Sequence, residues 1–170
     1  PREWRTMRTT YGACGVETRR GAADDGRRAT ALVVEYEMDE KRGARVGGAR
    51  AYALERGKGN GGEVTVTELG RCGSGTETMN GIGAIFEARW SPRRDDAERC
   101  AFAGADGYVT VARVRETESG CGVEFSELGR AHVGGEGLGM ATCLDWRADG
   151  AMCASAADGS FRIMRDDSGA

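Results

Sequence analysis

The chain has 170 residues, 39% of them hydrophobic, with 24 Lys plus Arg against 27 Asp plus Glu and a net charge of −3. No run approaches the roughly 20 apolar residues of a spanning helix, and the start lacks the basic, apolar and small-residue succession of a secretory leader. That weighs against membrane attachment and secretion, and a cytoplasmic location is the expectation. Arg supplies every basic residue except Lys41 and Lys58. These Arg are interspersed with acids and do not cluster with aromatics, so a nucleic-acid partner is not expected.

In chain order, Thr10 to Val16 reads as a small-residue strand, the second of a sheet whose third and fourth strands are Ala49 to Glu55 and Glu63 to Leu69. Residues 18–47, rich in Arg, Gly, Asp and Ala, read as an inserted loop, although Ala31 to Tyr36 has the composition of a strand of its own. The stretch Gly57-Lys58-Gly59-Asn60-Gly61-Gly62 lacks a following helix and the Gly-Lys-Ser/Thr ending of a phosphate loop, so it is assigned as a hairpin turn. Gly73-Ser74-Gly75 falls in a loop without the strand-to-helix setting of a nucleophile elbow.

The next two segments repeat one another. Ala84 to Trp90 followed by Ala101 to Val114 matches Ala141 to Trp146 followed by Cys153 to Met164. Each copy has an alternating strand ending in Trp, a small-residue strand running into Ala-Asp-Gly, and a second alternating strand. Successive residues of a strand face opposite ways, which puts Phe86, Ala88 and Trp90 on one face and Glu87 and Arg89 on the other. In the second copy Met140, Thr142, Leu144 and Trp146 share the first face while Asp145 points to solvent. Val109 and Val111 correspond to Phe161 and Ile163. Asp106-Gly107 and Asp158-Gly159 predict tight two-residue hairpins, in which positive φ costs Gly little.

This pattern predicts an all-β fold, a WD40-type β-propeller. It accounts for about three blades of an expected seven, and such rings close with four to eight. The blades are 1–70, with the insertion at 18–47, then 71–133, then an incomplete 134–170. Because the chain begins at Pro1 and ends soon after a third strand, an open fragment with unpaired sheet edges that self-associates is expected. Helix content should be near zero.

Cys14, Cys72, Cys100, Cys121, Cys143 and Cys153 form no CxxC pair. With Cys14, Cys143 and Cys153 inside strands, they read as small buried side chains, not as disulfides or zinc ligands. No metal and no cofactor is expected. His132, the only His, lies between a fourth strand, Gly122 to Leu128, and the next sheet. Repeats of this kind place a His there that hydrogen-bonds the Asp of the following tight turn, here Asp158. That structural role is preferred to a catalytic one. In a Ser/His/Asp arrangement His132 would be the base and Asp158 its orienter, with the nucleophile unassigned.

The order Gly12-Ala13-Cys14-Gly15-Val16-Glu17, an insertion, Gly48 to Leu54, Ala84 to Trp90 and Cys143-Leu144-Asp145-Trp146 resembles the WD40-repeat family of diphthamide biosynthesis named diphthine methyltransferase. The likeness runs from about residue 10 to 166. It implies an esterase that removes the methyl ester of diphthine on translation elongation factor 2, which would be its protein substrate and partner. No motif of that family assigns a catalytic residue here. Ala112-Arg113 and Met164-Arg165 stand where a standard repeat ends in Trp-Asp. The alternative from another class is a non-catalytic scaffold that binds other proteins, since a fold does not specify a function.

Overall fold

The computed structural model describes residues 12–20, 27–41, 43–57, 63–74, 79, 82–93, 96–119, 121–134 and 139–165. They form eleven strands in order: β1 Gly12–Arg20, β2 Arg28–Asp39, β3 Ala44–Arg56, β4 Val64–Gly73, β5 Ile85–Trp90, β6 Arg99–Gly104, β7 Tyr108–Glu116, β8 Val123–His132, β9 Ala141–Trp146, β10 Ala151–Ala156 and β11 Phe161–Arg165. Three antiparallel meanders result: β1 to β4, β5 to β8, and the three-stranded β9 to β11. No α-helix occurs among the described residues.

The sheets repeat residue by residue. Leu32↔Ala51 and Val34↔Ala49 in the first sheet correspond to Ala101↔Val111 and Ala103↔Val109 in the second, and to Cys153↔Ile163 and Ser155↔Phe161 in the third. The first strand of every sheet carries one unpaired extra residue at the same register: Cys14, Phe86 and Thr142. Such a bulge bends and twists its strand. Side chains at two of these positions make the same bond, Cys14 Sγ to the Val34 carbonyl at 3.4 Å and Thr142 Oγ1 to the Ser155 carbonyl at 3.4 Å. The fourth strands share a second bulge, at Leu69 and Leu128.

Consecutive sheets pack face to face. β1 lies against β5 and β5 against β9 along the first strands, while β4 meets β8 at the outer edge. Fanned meanders with their first strands gathered are the arrangement of propeller blades, and this all-β fold is a partial, open one. One core fills the space between the first and second sheets, around Leu32, Val34, Trp90, Phe102 and Phe125. The other lies between the second and third, around Ala101, Val109, Leu144, Trp146 and Met152. Trp90 and Trp146 are each 6% exposed at matching positions. At the first strands Arg89 Nη1 lies 3.5 Å from Glu17, and the Leu144 N–H donates to Glu87 Oε2 at 2.6 Å.

Four expectations need correction. Residues 18–47 are not an inserted loop: β1 continues to Arg20, β2 occupies Arg28–Asp39, and the two pair from Gly12↔Tyr36 to Arg20↔Ala29. Gly12 to Val16 is therefore in a first strand, not a second, and the first sheet is four-stranded. Cys14, Cys143 and Cys153 are exposed, whereas Cys72 and Cys100 are buried, all of them free thiols. The reason is phase, because Cys143 and Cys153 point to the side opposite Trp146 and Met152. Burial pushes the Cys72 thiol up to about 12 and raises Cys100 as well. Lastly, Phe161 and Ile163 match Val109 and Val111 in register yet are 69% and 71% exposed, because no sheet covers that side among the described residues.

The Gly-rich stretch at 58–62 lies outside the described residues. Its flanks close as a hairpin, with Arg56 opposite Val64 and the Gly57 N–H donating to the Glu63 carbonyl at 2.9 Å.

Candidate functional site

Three Asp-Gly corners share one construction. The Gly107, Gly150 and Gly159 N–H groups donate to the carbonyls of Gly104, Arg147 and Ala156 at 3.1, 3.0 and 3.1 Å. In each, Oδ1 of the Asp accepts the N–H two residues on: Tyr108 for Asp106 at 3.1 Å, Ala151 for Asp149 at 3.1 Å, Ser160 for Asp158 at 2.9 Å. Asp does this readily because its short carboxylate mimics a backbone carbonyl. Only the Gly has positive φ, at 84°, 85° and 86°. A two-residue hairpin of the expected kind needs positive φ at the Asp too, so these corners are three-residue loops that end in a left-handed Gly.

Between the corners of the second and third sheets lie His132, Val133, Gly134 and Gly139. His132 ends β8 opposite Tyr108, and their rings meet edge to face with centroids 4.9 Å apart. The Arg130 guanidinium lies 4.8 Å from the Tyr108 ring centre, with Nη1 3.9 Å from Asp106 Oδ2. Burial raises the Asp106 carboxyl above its ordinary value, opposed by the Tyr108 N–H and the Arg130 charge. The Val133 N–H donates to the Gly107 carbonyl at 2.9 Å. Glycine is needed at 107 for space as well as for φ, because a Cβ would come 2.5 Å from the Gly139 carbonyl oxygen and 3.0 Å from His132 Nε2.

The third sheet reaches back to the same chain. Arg162 Nη1 donates to the His132 carbonyl at 2.6 Å, and Ser160 Oγ to the Val133 carbonyl at 3.4 Å. Ser160 Oγ also lies 2.5 Å from Asp158 Oδ1. Thus the structure gathers His132, Asp158, Ser160, Tyr108, Arg130 and Arg162 at one sheet junction. The His132 ring is engaged with Tyr108 and Gly107 of its own sheet, and the Asp158 carboxylate with Ser160. Ser160 follows the Asp-Gly pair directly, and that adjacency was a usable signal. Tyr108 follows Asp106-Gly107 in the same way, but its meeting with Arg130 carried no signal, since the two come together only through the β7–β8 register with its extra Leu128.

Chemically the junction offers a half-exposed guanidinium stacked on a phenol ring, an imidazole edge-on to that ring, and a hydroxyl in contact with a carboxylate. Among the described residues no three His, Cys, Asp or Glu side chains converge to hold a metal ion, and no helix is long and apolar enough to cross a membrane.

No family model matches the chain, and no curated protein matches it. Among solved structures it is similar to Sqt1 from Chaetomium thermophilum, a WD40 β-propeller protein, with a TM-score of 0.49 and 17% identity. The match covers 85% of this chain and 38% of that one. The chain therefore spans well under half of the structure it resembles, and a likeness at this level assigns no function.

Proposed function

We propose that this chain is part of a WD40-type protein-interaction module, and that the junction around Tyr108, Arg130 and His132 is where it grips a partner. The observation behind this reading is the stack of Arg130 on Tyr108, braced by His132 and Asp106. Tyr and Arg dominate the energetics of protein interfaces, because they present large contact area with little further ordering to be done on binding. Arg130 sits over its ring 44% exposed, with only long contacts to Asp106 at 3.9 Å and Glu127 at 3.8 Å, and is suited to a carboxylate on the partner.

Ester hydrolysis is the second reading. It draws on the resemblance to the diphthine family and on the meeting of Ser160, Asp158 and the His132 segment. In that reaction water, activated by His132, adds to the ester carbonyl. Methanol leaves and diphthine is released as its carboxylate. Translation elongation factor 2 would be the substrate, and the cytoplasm the place.

One experiment addresses both. The chain is titrated against elongation factor 2 carrying methylated diphthine, binding is measured, and the factor's mass is followed. A decrease of about 14 Da, one CH₂, marks hydrolysis. Binding without that decrease, weakened at least about tenfold by Arg130→Ala in a protein that still folds, supports the interaction module with this partner. Neither binding nor turnover removes this factor as partner and the esterase reading with it.

A further inference from the structure

The first sheet outreaches the others at one end. In the second and third sheets the pairs Ala103↔Val109 and Ser155↔Phe161 are the last before the Asp-Gly corners. Their counterpart Val34↔Ala49 is followed by five more, from Glu35↔Gly48 to Asp39↔Ala44, so β2 and β3 run on as a hairpin. At about 3.4 Å per residue those pairs span about 17 Å. The hairpin is firmly built. At its tip the Lys41 N–H donates to Asp39 Oδ1 at 3.1 Å, and Gly43 turns the chain with a φ of 60°. Its base is tied to the residue after β4: the Gly47 N–H donates to Ser74 Oγ at 3.3 Å and the Ser74 N–H to the Gly47 carbonyl at 2.8 Å.

The two sides of this arm differ. Tyr36 stacks on Phe86 of the second sheet with ring centroids 5.1 Å apart, so the side bearing Tyr36 faces that sheet. Alternation puts Met38 on the same side, and Arg45, opposite Met38 in register, joins it. Glu37 and Asp39 take the other side. Met38 is 42% exposed, and the Arg45 side chain has neither a hydrogen bond nor an ion pair among the described residues. Ala84 touches both the arm and the second corner. A Cβ on Gly47 would stand 3.2 Å from Ala84 Cα, and the Ala84 carbonyl accepts the Ala105 N–H at 2.8 Å. The arm and the junction of Tyr108, Arg130 and His132 therefore lie at the same end of the second sheet.

We propose that residues 37–46 form an arm that holds an acidic peptide segment of a partner protein against this end of the second sheet. An apolar side chain of the segment lies on Met38, Tyr36 and Phe86, and a carboxylate meets Arg45. The proposal rests on the interaction reading above and gives that partner its chemistry and a second contact. Residues added to one repeat fall on one face of repeat proteins, often the face that binds. Charge selects the occupant. Arg45 has no acid of its own and Arg130 only those at 3.8 and 3.9 Å, so both are completed by carboxylates from outside. The arm's acids Glu37 and Asp39 are turned away, and an unbranched Met adapts to apolar groups of varied shape.

Fluorescence anisotropy of short labelled peptides, each with one Leu, Met or Phe among glutamates, tests this on the full 170-residue chain. Such peptides should bind, and replacing their glutamates by glutamine should abolish binding. Met38→Glu and Arg45→Glu should each weaken it at least about tenfold, the loss expected of a central interface residue, while Glu37→Gln on the far side leaves it unchanged. Circular dichroism checks that the strands are retained, and Met38→Ser replaces Met38→Glu if the hairpin is disturbed. Binding weakened by Arg130→Ala but indifferent to both arm variants overturns the arm and leaves the junction reading standing. Binding weakened by the arm variants but indifferent to Arg130→Ala supports the arm and removes Arg130 from the interface. No binding by any acidic peptide, or a preference for a series with lysine in place of glutamate, overturns the proposal.

Discussion

Replacing Trp146 by Phe and by Ala separates two effects that one buried indole combines. The ring is 6% exposed within the second core, and its Nε1–H is buried with no hydrogen-bond partner. Trp146→Ala removes nearly the whole ring and should cost about 3–5 kcal/mol, the usual range for a large aromatic replaced by Ala in a core. Trp146→Phe removes two ring carbons, about 1.6 kcal/mol at 0.8 per buried carbon. It also removes an unsatisfied donor, which returns about 1–3 kcal/mol. The net should fall between about 0.6 kcal/mol less stable and about 1.4 kcal/mol more stable than wild type. Trp90 also lacks a partner for Nε1, but the Arg19 guanidinium lies 4.2 Å from its ring centre. Trp90→Phe should therefore cost more than Trp146→Phe by about 0.5–2 kcal/mol, the worth of a cation over an indole. Urea unfolding followed by far-ultraviolet circular dichroism measures all three, since fluorescence changes with the Trp count. If Trp146→Phe costs as much as Trp146→Ala, the indole N–H has a partner and the reasoning fails.

Thiol labelling of the folded chain should modify Cys121, Cys143 and Cys153 readily, while Cys72 and Cys100, buried and raised in pKa, react only after denaturant is added; peptide mapping reads the order. Gly159→Ala should cost about 1–2 kcal/mol for its left-handed backbone alone, there being nothing near it to clash with, whereas Gly107→Ala should cost clearly more because the Gly139 carbonyl stands in the way; melting temperatures rank the two. Asp106→Asn keeps an oxygen for the Tyr108 N–H and removes a buried charge. Since the folded-state pKa is raised above the ordinary 3.8, the wild-type carboxyl is less costly to fold when protonated, and its penalty develops as pH rises from 3.8 through the folded value. The stability of wild type relative to Asp106→Asn should fall across that window and then level off, and unfolding free energies at a series of pH values would contradict this if the difference grew instead.

Alternation and the Asp-Gly corners made the second and third sheets legible, because both are short-range signals: Trp90 and Trp146 are buried, and Asp106 and Asp158 turn the chain, as the pattern implied. The first sheet was harder because its strands contain Arg whose partners are remote. Arg19 lies on Trp90 of the next sheet, and Arg28 reaches Glu55 at 3.5 Å and Glu116 at 3.2 Å. Nothing local distinguishes such Arg from those of a loop, so a paired strand read as an insertion. Repetition located Phe161 and Ile163 correctly, but their burial depends on what covers the sheet, a property of the neighbour and not of the strand. At the junction, His132 was visible as the sole His, while Arg130 and Tyr108 met it through a bulged register that spacing along the chain does not encode.

Because each sheet is a meander of consecutive strands that packs only onto the next, the free energy of this protein divides into sheet contributions and two junction contributions, as in a linear array with nearest-neighbour coupling. The middle sheet holds both junctions, with Phe102 buried against one neighbour and Ala101 against the other. Amide protons should accordingly exchange in a graded order, soonest in β11, whose outer side is unpaired among the described residues, and last in β6, which loses its protection only when both junctions have opened. A change that weakens β2 would reach β10 only by way of the middle sheet, so the first and third sheets are free to vary in sequence almost independently while the residues of Cys100 to Gly104 are constrained from both sides at once.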